Sequence, residues 1–127
     1  MQQLREMGVR LILSMYLIRP DRILGEPPLS LLWLPVFDSP FIPIPLRIFR
    51  IGVNAALPVI DSGNKVLVHC RWGIHRSVAM ACCILIRRGF TTDEAVALVK
   101  RKRSLADPEA GYILARIRRF EQEYVTA

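Results

Sequence analysis

The segment from residue 66 to residue 86 constrains the fold of this chain more than any other feature. An aliphatic, β-branched run at residues 66–69 leads into Cys70, five residues separate Cys70 from Arg76, and an apolar run follows at residues 78–86. Short β-branched runs are typical of buried strands, and a longer stretch that is apolar all round is typical of a buried helix. The segment therefore predicts a strand, a tight loop and a helix N-terminus, with Cys70 and Arg76 at the two ends of the loop.

This layout predicts a binding site for an anion. A short loop before a helix points several backbone N–H groups into one concavity, and the helix dipole adds positive potential there. Cys70 would lie at the floor of the concavity, where that field favours thiolate over thiol. Arg76 offers a planar fork to two oxygens of a tetrahedral oxyanion. A nucleophile at the base of such a site indicates phosphoryl transfer to cysteine.

The rest of the chain alternates between helical and strand patterns, with proline-rich loops between them. We expect Pro58 to kink its helix or end it early, and Thr92 to cap the helix that follows it. A chain of 127 residues suits one domain, so we predict a single α/β domain over residues 1–127. The expected strands lie at 9–15, 31–37 and 66–69, and the expected helices lie at 1–7, 46–60, 78–86, 92–103 and 110–124.

Cysteine content and hydropathy favour a cytoplasmic location. No uninterrupted apolar stretch reaches about 18 residues, so we expect no membrane span. Residues 1–10 do not have the pattern of a signal peptide. The three cysteines form no disulfide framework, and we expect the adjacent Cys82 and Cys83 to be buried apolar residues rather than redox partners.

The formal net charge of +7 indicates an anionic partner without choosing its class. Phosphoproteins, phospholipid headgroups and nucleic acid all remain open, although no basic run is interleaved with aromatic residues as in single-strand binders. We therefore predict no stable nucleic-acid partner. Both histidines, His69 and His75, lie in the Cys70 segment without metal-ligand spacing, so we expect neither a metal nor a cofactor.

Residues 69–77 resemble the protein tyrosine phosphatase signature, His-Cys-x5-Arg-Ser/Thr, and Gly73 stands where that family usually has glycine. Nearly the whole chain is similar to a minimal dual-specificity phosphatase domain. Residues 8–13 resemble the family's first core strand, and residues 34–38 resemble the strand that leads to its general-acid aspartate, here Asp38. The region after the signature helix also resembles the family in Arg103, Pro108, Gly111 and Tyr112, but Glu109 stands where the family commonly has asparagine.

The resemblance implies a central, mostly parallel sheet flanked by helices, with the site at the carboxyl end of the central strand. It implies that Cys70 is the nucleophile and that Arg76 binds the phosphoryl oxygens. Asp38 would be the general acid, Ser77 would assist departure of the sulfur, and His69 would help to shape the loop. The residues predicted to bind substrate are Arg71, Trp72, Gly73, Ile74, His75 and Arg76.

Two other aspartates compete with Asp38 for the role of general acid. Asp38 lies 32 residues before Cys70, which is close to the family's spacing, whereas Asp61 fits a turn at a helix end. Asp107 precedes a proline, as does the catalytic aspartate of low-molecular-weight tyrosine phosphatases, but their cysteine lies near the N-terminus. His75 replaces a typically small residue, and the sequence assigns its side chain no particular role. Trp72 either flanks the pocket mouth or packs.

The expected substrates are phosphotyrosine and also phosphoserine and phosphothreonine, because the chain is too short for the loop that deepens the pocket of classical tyrosine phosphatases. Three alternatives remain on the same loop: a phosphoinositide phosphatase, an RNA 5'-triphosphatase, and a pseudophosphatase that binds phosphate groups without turnover. Arg71 would favour either acidic sequence around the phosphosite or an inositol lipid. The sequence does not predict an oligomeric state.

Overall fold

The computed structural model describes residues 2–70 and 74–124. Within them, three parallel strands form one sheet in the order β2-β1-β3. Six helical segments surround it, so the predicted α/β class with a parallel sheet is confirmed. The strands are β1 (Val9–Ser14), β2 (Ser30–Trp33) and β3 (Lys65–His69), and the helices are α1 (Gln2–Glu6), a 3-10 helix (Arg22–Gly25), α2 (Leu46–Asp61), α3 (Arg76–Arg87), α4 (Thr92–Lys102) and α5 (Gly111–Tyr124).

The two faces of β1 pack into separate cores because side chains alternate along a strand. Leu11 and Leu13 belong to the larger core, which lies between the sheet and helices α2 to α5. Ile12 points the other way, into a smaller core with Leu29 and with Val9, which precedes a register shift in the pairing of β1 with β3. Both faces of the strand are therefore buried, which explains its nearly unbroken apolar sequence.

Helix α3 is buried on most of its surface and packs against α2, α4, α5 and β3. Its contact with α2 depends on Gly52, since a Cβ there would lie 2.4 Å from the Cε atom of Met80. The predicted run of buried apolar residues at 78–86 is confirmed. The helix begins two residues earlier, at Arg76, which places its N-terminus against the loop that follows β3.

The sheet differs from the prediction in two places. The strand expected at 31–37 ends at Trp33, because Pro35 has no N–H to donate to a strand ladder. The strand at 66–69, expected at the centre of the sheet, is the edge strand β3, and among the described residues only β1 has a neighbour on both sides. The carboxyl end of β3 still leads directly into Cys70, as expected for a site at the ends of parallel strands.

Two helix boundaries also differ from the prediction. The N-cap of α4 is Thr91, not Thr92, because Thr91 forms a capping box with Glu94, while the Thr92 hydroxyl donates to Glu121. Helix α2 runs three residues past Pro58, so the expected early end is wrong. A proline in the last turn removes a single intrahelical donor, and the Ser62 hydroxyl hydrogen-bonds to the carbonyls of Pro58 and Val59.

No helix in the described part of the chain is long and apolar enough to cross a membrane.

Candidate functional site

Cys70 lies at the carboxyl end of β3 with its sulfur against the N-terminus of α3. The residue is 5% exposed, and its Sγ lies 3.1 Å from the Ser77 hydroxyl. The backbone N–H of Ser77 donates to the same sulfur at 3.4 Å. Ser77 is the second residue of α3, so this N–H is one of the helix-terminal donors that lack an intrahelical acceptor. The fold thus directs a hydroxyl, an amide and a helix dipole at one sulfur, and all three favour its anionic form.

Arg76 is the first residue of α3 and is buried beside the ends of two strands. Its Nη1 donates to the carbonyl of Val36 at 3.1 Å and to that of Met15 at 3.5 Å. Its Nε is buried and has no hydrogen-bond partner among the residues that the structure describes. A buried donor without a partner costs about 1–3 kcal/mol, so an oxygen of a bound ligand would stabilise this guanidinium.

Asp38 follows β2, and each of its carboxylate oxygens has a hydrogen-bond partner. The Tyr112 hydroxyl donates to Oδ1 at 2.5 Å, and His75 Nδ1 lies 2.9 Å from Oδ2. Partial burial raises the pKa of Asp38, but the two hydrogen bonds and the positive charges of His75 and Arg76 outweigh burial. The pKa of Asp38 is therefore lower than usual, and the ionised carboxylate is favoured.

Asp107 also lies at this site, whereas Asp61 does not. The backbone N–H of Asp107 donates to the carbonyl of Ile74 at 2.9 Å, and its Oδ2 lies 3.6 Å from His75 Nε2. Asp61 pairs with Arg88 at 2.6 Å. Arg88 follows the C-terminus of α3, so twelve residues, or about 18 Å of helix, separate it from the site. Asp38 and Asp107 therefore remain the two candidate acids.

His75 and Tyr112 are the residues whose contact with Asp38 the sequence did not predict, although His75 was expected to bind substrate and Tyr112 belongs to the family resemblance. Their rings meet edge to face at a centroid distance of 5.4 Å. Partial burial and the neighbouring Asp38 raise the pKa of Tyr112 to about 12, so its hydroxyl remains a donor. The polar side chain of His75, where a small residue is typical, was the available signal. The resemblance of Tyr112 to the family did not link it to Asp38, which lies 74 positions earlier in the sequence.

The remaining predicted site residues divide into two groups. Ile74 lies beside the site, and its carbonyl fixes the loop that carries Asp107. Arg71, Trp72 and Gly73 lie outside the described residues. Glu109, which stands where the family commonly has asparagine, forms an ion pair with Lys100.

The other two cysteines are buried in the core. Burial raises the pKa of Cys82 to about 12, and burial together with the neighbouring Cys82 raises the pKa of Cys83 well above its ordinary value. Both thiols therefore remain protonated and unreactive, which agrees with a packing role. Within residues 2–70 and 74–124, no three His, Cys, Asp or Glu side chains form a group that could hold a metal ion.

This geometry is accompanied by a family match over almost the entire chain. The family model of the dual specificity phosphatase catalytic domain matches residues 3–123. The chain therefore belongs to the dual-specificity phosphatase family, and the resemblance noted in the sequence is confirmed.

Individual relatives agree with this assignment. Mouse dual specificity phosphatase 28 is 33% identical over 97 residues, which cover 76% of this chain and 58% of that protein. Human dual specificity protein phosphatase 5 is 33% identical over 92 residues, which cover 72% of this chain and 23% of that protein. The chain thus spans less than two thirds of the length of these relatives. The crystal structure of human DUSP28 superposes with a TM-score of 0.82 at 28% identity, covering 95% of this chain and 80% of that one.

Proposed function

We propose that this chain hydrolyses phosphomonoesters on proteins, phosphotyrosine and also phosphoserine and phosphothreonine, through a cysteinyl-phosphate on Cys70. The observation that carries the proposal is that the first turn of α3 directs an amide at the Cys70 sulfur and also carries Arg76, whose buried Nε has no partner among the described residues. A nucleophile and donors for an oxyanion at one point are what phosphoryl transfer needs. The family match supports the same chemistry.

In the first step, the Cys70 thiolate attacks phosphorus in line and the bond from phosphorus to the leaving oxygen breaks. Arg76 and the backbone N–H groups of residues 71–76 would bind the three equatorial oxygens, whose negative charge needs stabilisation. Asp38 would transfer its proton to the leaving oxygen. The substrate-binding roles of Arg71, Trp72, Gly73, Ile74 and His75 are part of this proposal, and His75 would act there through its backbone N–H rather than its side chain.

In the second step, the Asp38 carboxylate takes a proton from water, the water oxygen bonds to phosphorus, and the bond from sulfur to phosphorus breaks. The electron pair returns to Cys70, and the Ser77 hydroxyl, 3.1 Å from Sγ, donates to the departing thiolate. The lowered pKa of Asp38 suits this step, which needs the carboxylate. The first step needs the carboxylic acid, so we expect maximal activity on the acidic side of neutrality.

We also propose that residues 1–127 act as one catalytic domain in a reducing compartment such as the cytoplasm, because a thiolate nucleophile must stay reduced. The high net charge of +7 agrees with an anionic substrate. The reaction as written needs neither metal nor cofactor.

A panel of substrates tests the proposal. Phosphate release is measured from peptides carrying phosphotyrosine, phosphoserine or phosphothreonine, from inositol phospholipids, and from triphosphorylated RNA. We expect release from the peptides and none from Cys70→Ser, which should still bind vanadate because the oxyanion donors remain. Release from lipid or RNA alone would replace the protein substrate with that class. Vanadate binding without any release by the wild type would identify a pseudophosphatase, and residual turnover by Cys70→Ser would refute the covalent intermediate.

A further inference from the structure

His75 is the last residue before α3, but its side chain does not cap that helix. Serine, threonine, aspartate and asparagine are favoured at this position because their side chains accept from the first N–H groups of the helix. The His75 ring makes no such hydrogen bond to any described residue. It is partly buried instead, with 21% of the side chain exposed, against residues from other segments. Its role therefore lies outside the helix.

Three residues from distant parts of the chain surround the His75 ring. Nδ1 lies 2.9 Å from Asp38 Oδ2 and 3.0 Å from the Tyr112 hydroxyl, and Nε2 lies 3.6 Å from Asp107 Oδ2. Asp38 follows β2, Asp107 lies between α4 and α5, and Tyr112 is in the first turn of α5. Through this ring, the N-terminus of α3 is in contact with both candidate acids, Asp38 and Asp107.

The chemistry of these groups determines the direction of the hydrogen bonds. An ionised carboxylate only accepts, so His75 Nδ1 and the Tyr112 hydroxyl must both donate to Asp38. Each carboxylate oxygen accepts one of these donors, so the orientation of the carboxylate is fixed from two sides. At 3.6 Å the contact between Nε2 and Asp107 is an ion pair rather than a hydrogen bond, and it forms only when both imidazole nitrogens carry protons. Among the described residues, Arg76 also acts electrostatically on Asp38, and Lys100, which is paired with Glu109, acts on Asp107.

We propose that His75 is a positioning residue. With Tyr112 it forms a clamp, the His75–Tyr112 clamp, that holds Asp38 beside the N-terminus of α3 and links it to Asp107. The catalytic consequence rests on the proposed function, in which Asp38 protonates the leaving oxygen. A misplaced proton donor slows that step while substrate binding changes little.

The clamp also affects the pH at which Asp38 ionises. His75 and Tyr112 both stabilise the carboxylate, and therefore lower the pKa of Asp38 against the opposing effect of burial. Removing either partner should raise that pKa, so the carboxyl stays protonated to higher pH. The basic limb of the profile of kcat/KM against pH, which reports the acid, should then move to higher pH.

The kinetic test compares His75→Ala, His75→Asn and Tyr112→Phe on a phosphotyrosine peptide, with Asp61→Asn as the control far from the site. We expect His75→Ala to lower kcat about tenfold or more with little change in KM, and to move the basic limb to higher pH. His75→Asn should restore most of the rate, because its amide N–H can replace the Nδ1 donor. Tyr112→Phe should move the limb in the same direction, and Asp61→Asn should match the wild type.

Two kinetic results would overturn the clamp. One is a His75→Ala profile that superimposes on the wild type in both rate and pH. The other is equal impairment of His75→Ala and His75→Asn, which would mean that the ring only fills space. An activated aryl phosphate adds a further check, since its leaving group needs no proton and His75→Ala should slow it much less.

A second measurement does not depend on catalysis. The chain has two histidines, so the ¹⁵N resonances of the His75 imidazole can be assigned by their loss in His75→Asn. We expect Asp38→Asn to move the Nδ1 resonance and Asp107→Asn to move the Nε2 resonance, with neither moving in Asp61→Asn. Unmoved resonances would refute the clamp even in an active enzyme. Moved resonances in a protein that releases no phosphate would keep the clamp and refute the proposed function.

Discussion

At the scale of single residues, the site depends on which donors surround each ionisable group. Cys70 faces an amide and a hydroxyl at the start of α3, while Cys82 and Cys83 face only the core. The surroundings of Cys70 therefore favour the thiolate, whereas those of Cys82 and Cys83 favour the neutral thiol. Asp38 and Asp61 differ in the same way, since Asp38 is held by Tyr112 and His75, whereas Asp61 forms an exposed pair with Arg88. Exposed ion pairs of that kind contribute little to stability.

The assignment of Asp38 as the acid predicts a dependence on the leaving group. General acid catalysis contributes about 10²–10⁴-fold, and it matters most when the leaving oxygen is basic. Asp38→Asn should therefore slow hydrolysis of a phosphotyrosine peptide by about that factor and slow an activated aryl phosphate much less. The loss of rate at high pH should disappear in this variant.

Asp107→Asn and Asp61→Asn serve as matched comparisons for that prediction. Asp61→Asn should leave the pH profile unchanged. Asp107→Asn should retain the basic limb, with at most a displacement through His75, 3.6 Å away. If Asp107→Asn instead removes the limb and Asp38→Asn does not, the chain uses Asp107 as its acid and the proposed role of Asp38 is wrong.

At the scale of secondary structure, α3 performs two functions at once. Its buried apolar surface holds it between the sheet and three helices, and its first turn presents Arg76 and Ser77 to the site. Because the helix cannot shift without opening the core, the donors at its N-terminus stay fixed beside Cys70. Preorganised donors of this kind cost no reorganisation during the reaction.

The position of Cys70 at the N-terminus of α3 predicts that this cysteine is alkylated selectively. Free thiols have a pKa of about 8.5 and are almost fully protonated near pH 6, whereas a thiol at a helix N-terminus reacts as thiolate there. We expect iodoacetate to inactivate the protein near pH 6, with one carboxymethyl group on Cys70 by mass spectrometry and protection by phosphate. Burial keeps Cys82 and Cys83 unmodified. Inactivation that rises only as a free thiol ionises would exclude activation by the helix.

Helix α4 carries a prediction about stability alone. The exposed Thr91 caps this helix through a reciprocal bond with Glu94, so Thr91→Ala should lower the free energy of unfolding by about 1 kcal/mol. Thr91→Ser, which keeps the hydroxyl, should be close to wild type. Urea denaturation measures the difference. An equal loss in both variants would show that the methyl group of Thr91 matters and the cap does not.

At the scale of the whole molecule, the parallel sheet gathers distant segments at one end. Beyond their carboxyl ends, β1 leads to Met15, β2 leads to Asp38 and β3 leads to Cys70. Arg76 donates to backbone carbonyls that follow β1 and β2. The loop between α4 and α5 then adds Asp107 from the helical side. Residues as far apart in sequence as Met15 and Tyr112 therefore contribute to one site.

The breadth of substrates is a property of this whole assembly. The sequence predicts a shallow pocket, so peptides of identical sequence carrying phosphotyrosine or phosphothreonine should both be hydrolysed, with a moderate ratio of kcat/KM between them. Phosphate release from the matched pair at high enzyme concentration measures that ratio. Complete inactivity on phosphothreonine would contradict a shallow pocket and indicate a deeper one.

The sequence predicted the features that depend on local pattern. The strand before Cys70 and the helix after it follow from hydrophobic periodicity, and the proposed roles of Cys70 and Arg76 follow from their places between these elements. The predicted N-cap of α4 and the predicted early end of α2 were wrong because the residues concerned fit two local structures. Thr91 and Thr92 are both good caps, and only Glu94 at the third helical position selects Thr91. Pro58 breaks helices in general, but near a C-terminus it removes only one bond.

Only the tertiary structure decided which distant side chains meet. The position of β3 at the edge of the sheet depends on pairing between segments more than 50 residues apart, which no local pattern encodes. The same is true of the contact between Tyr112 and Asp38 and of the place of His75 between two carboxylates. Periodicity determines which face of an element is buried, because that is a local property of the chain. The partners of a polar side chain depend on how the elements pack, and packing is a property of the whole molecule.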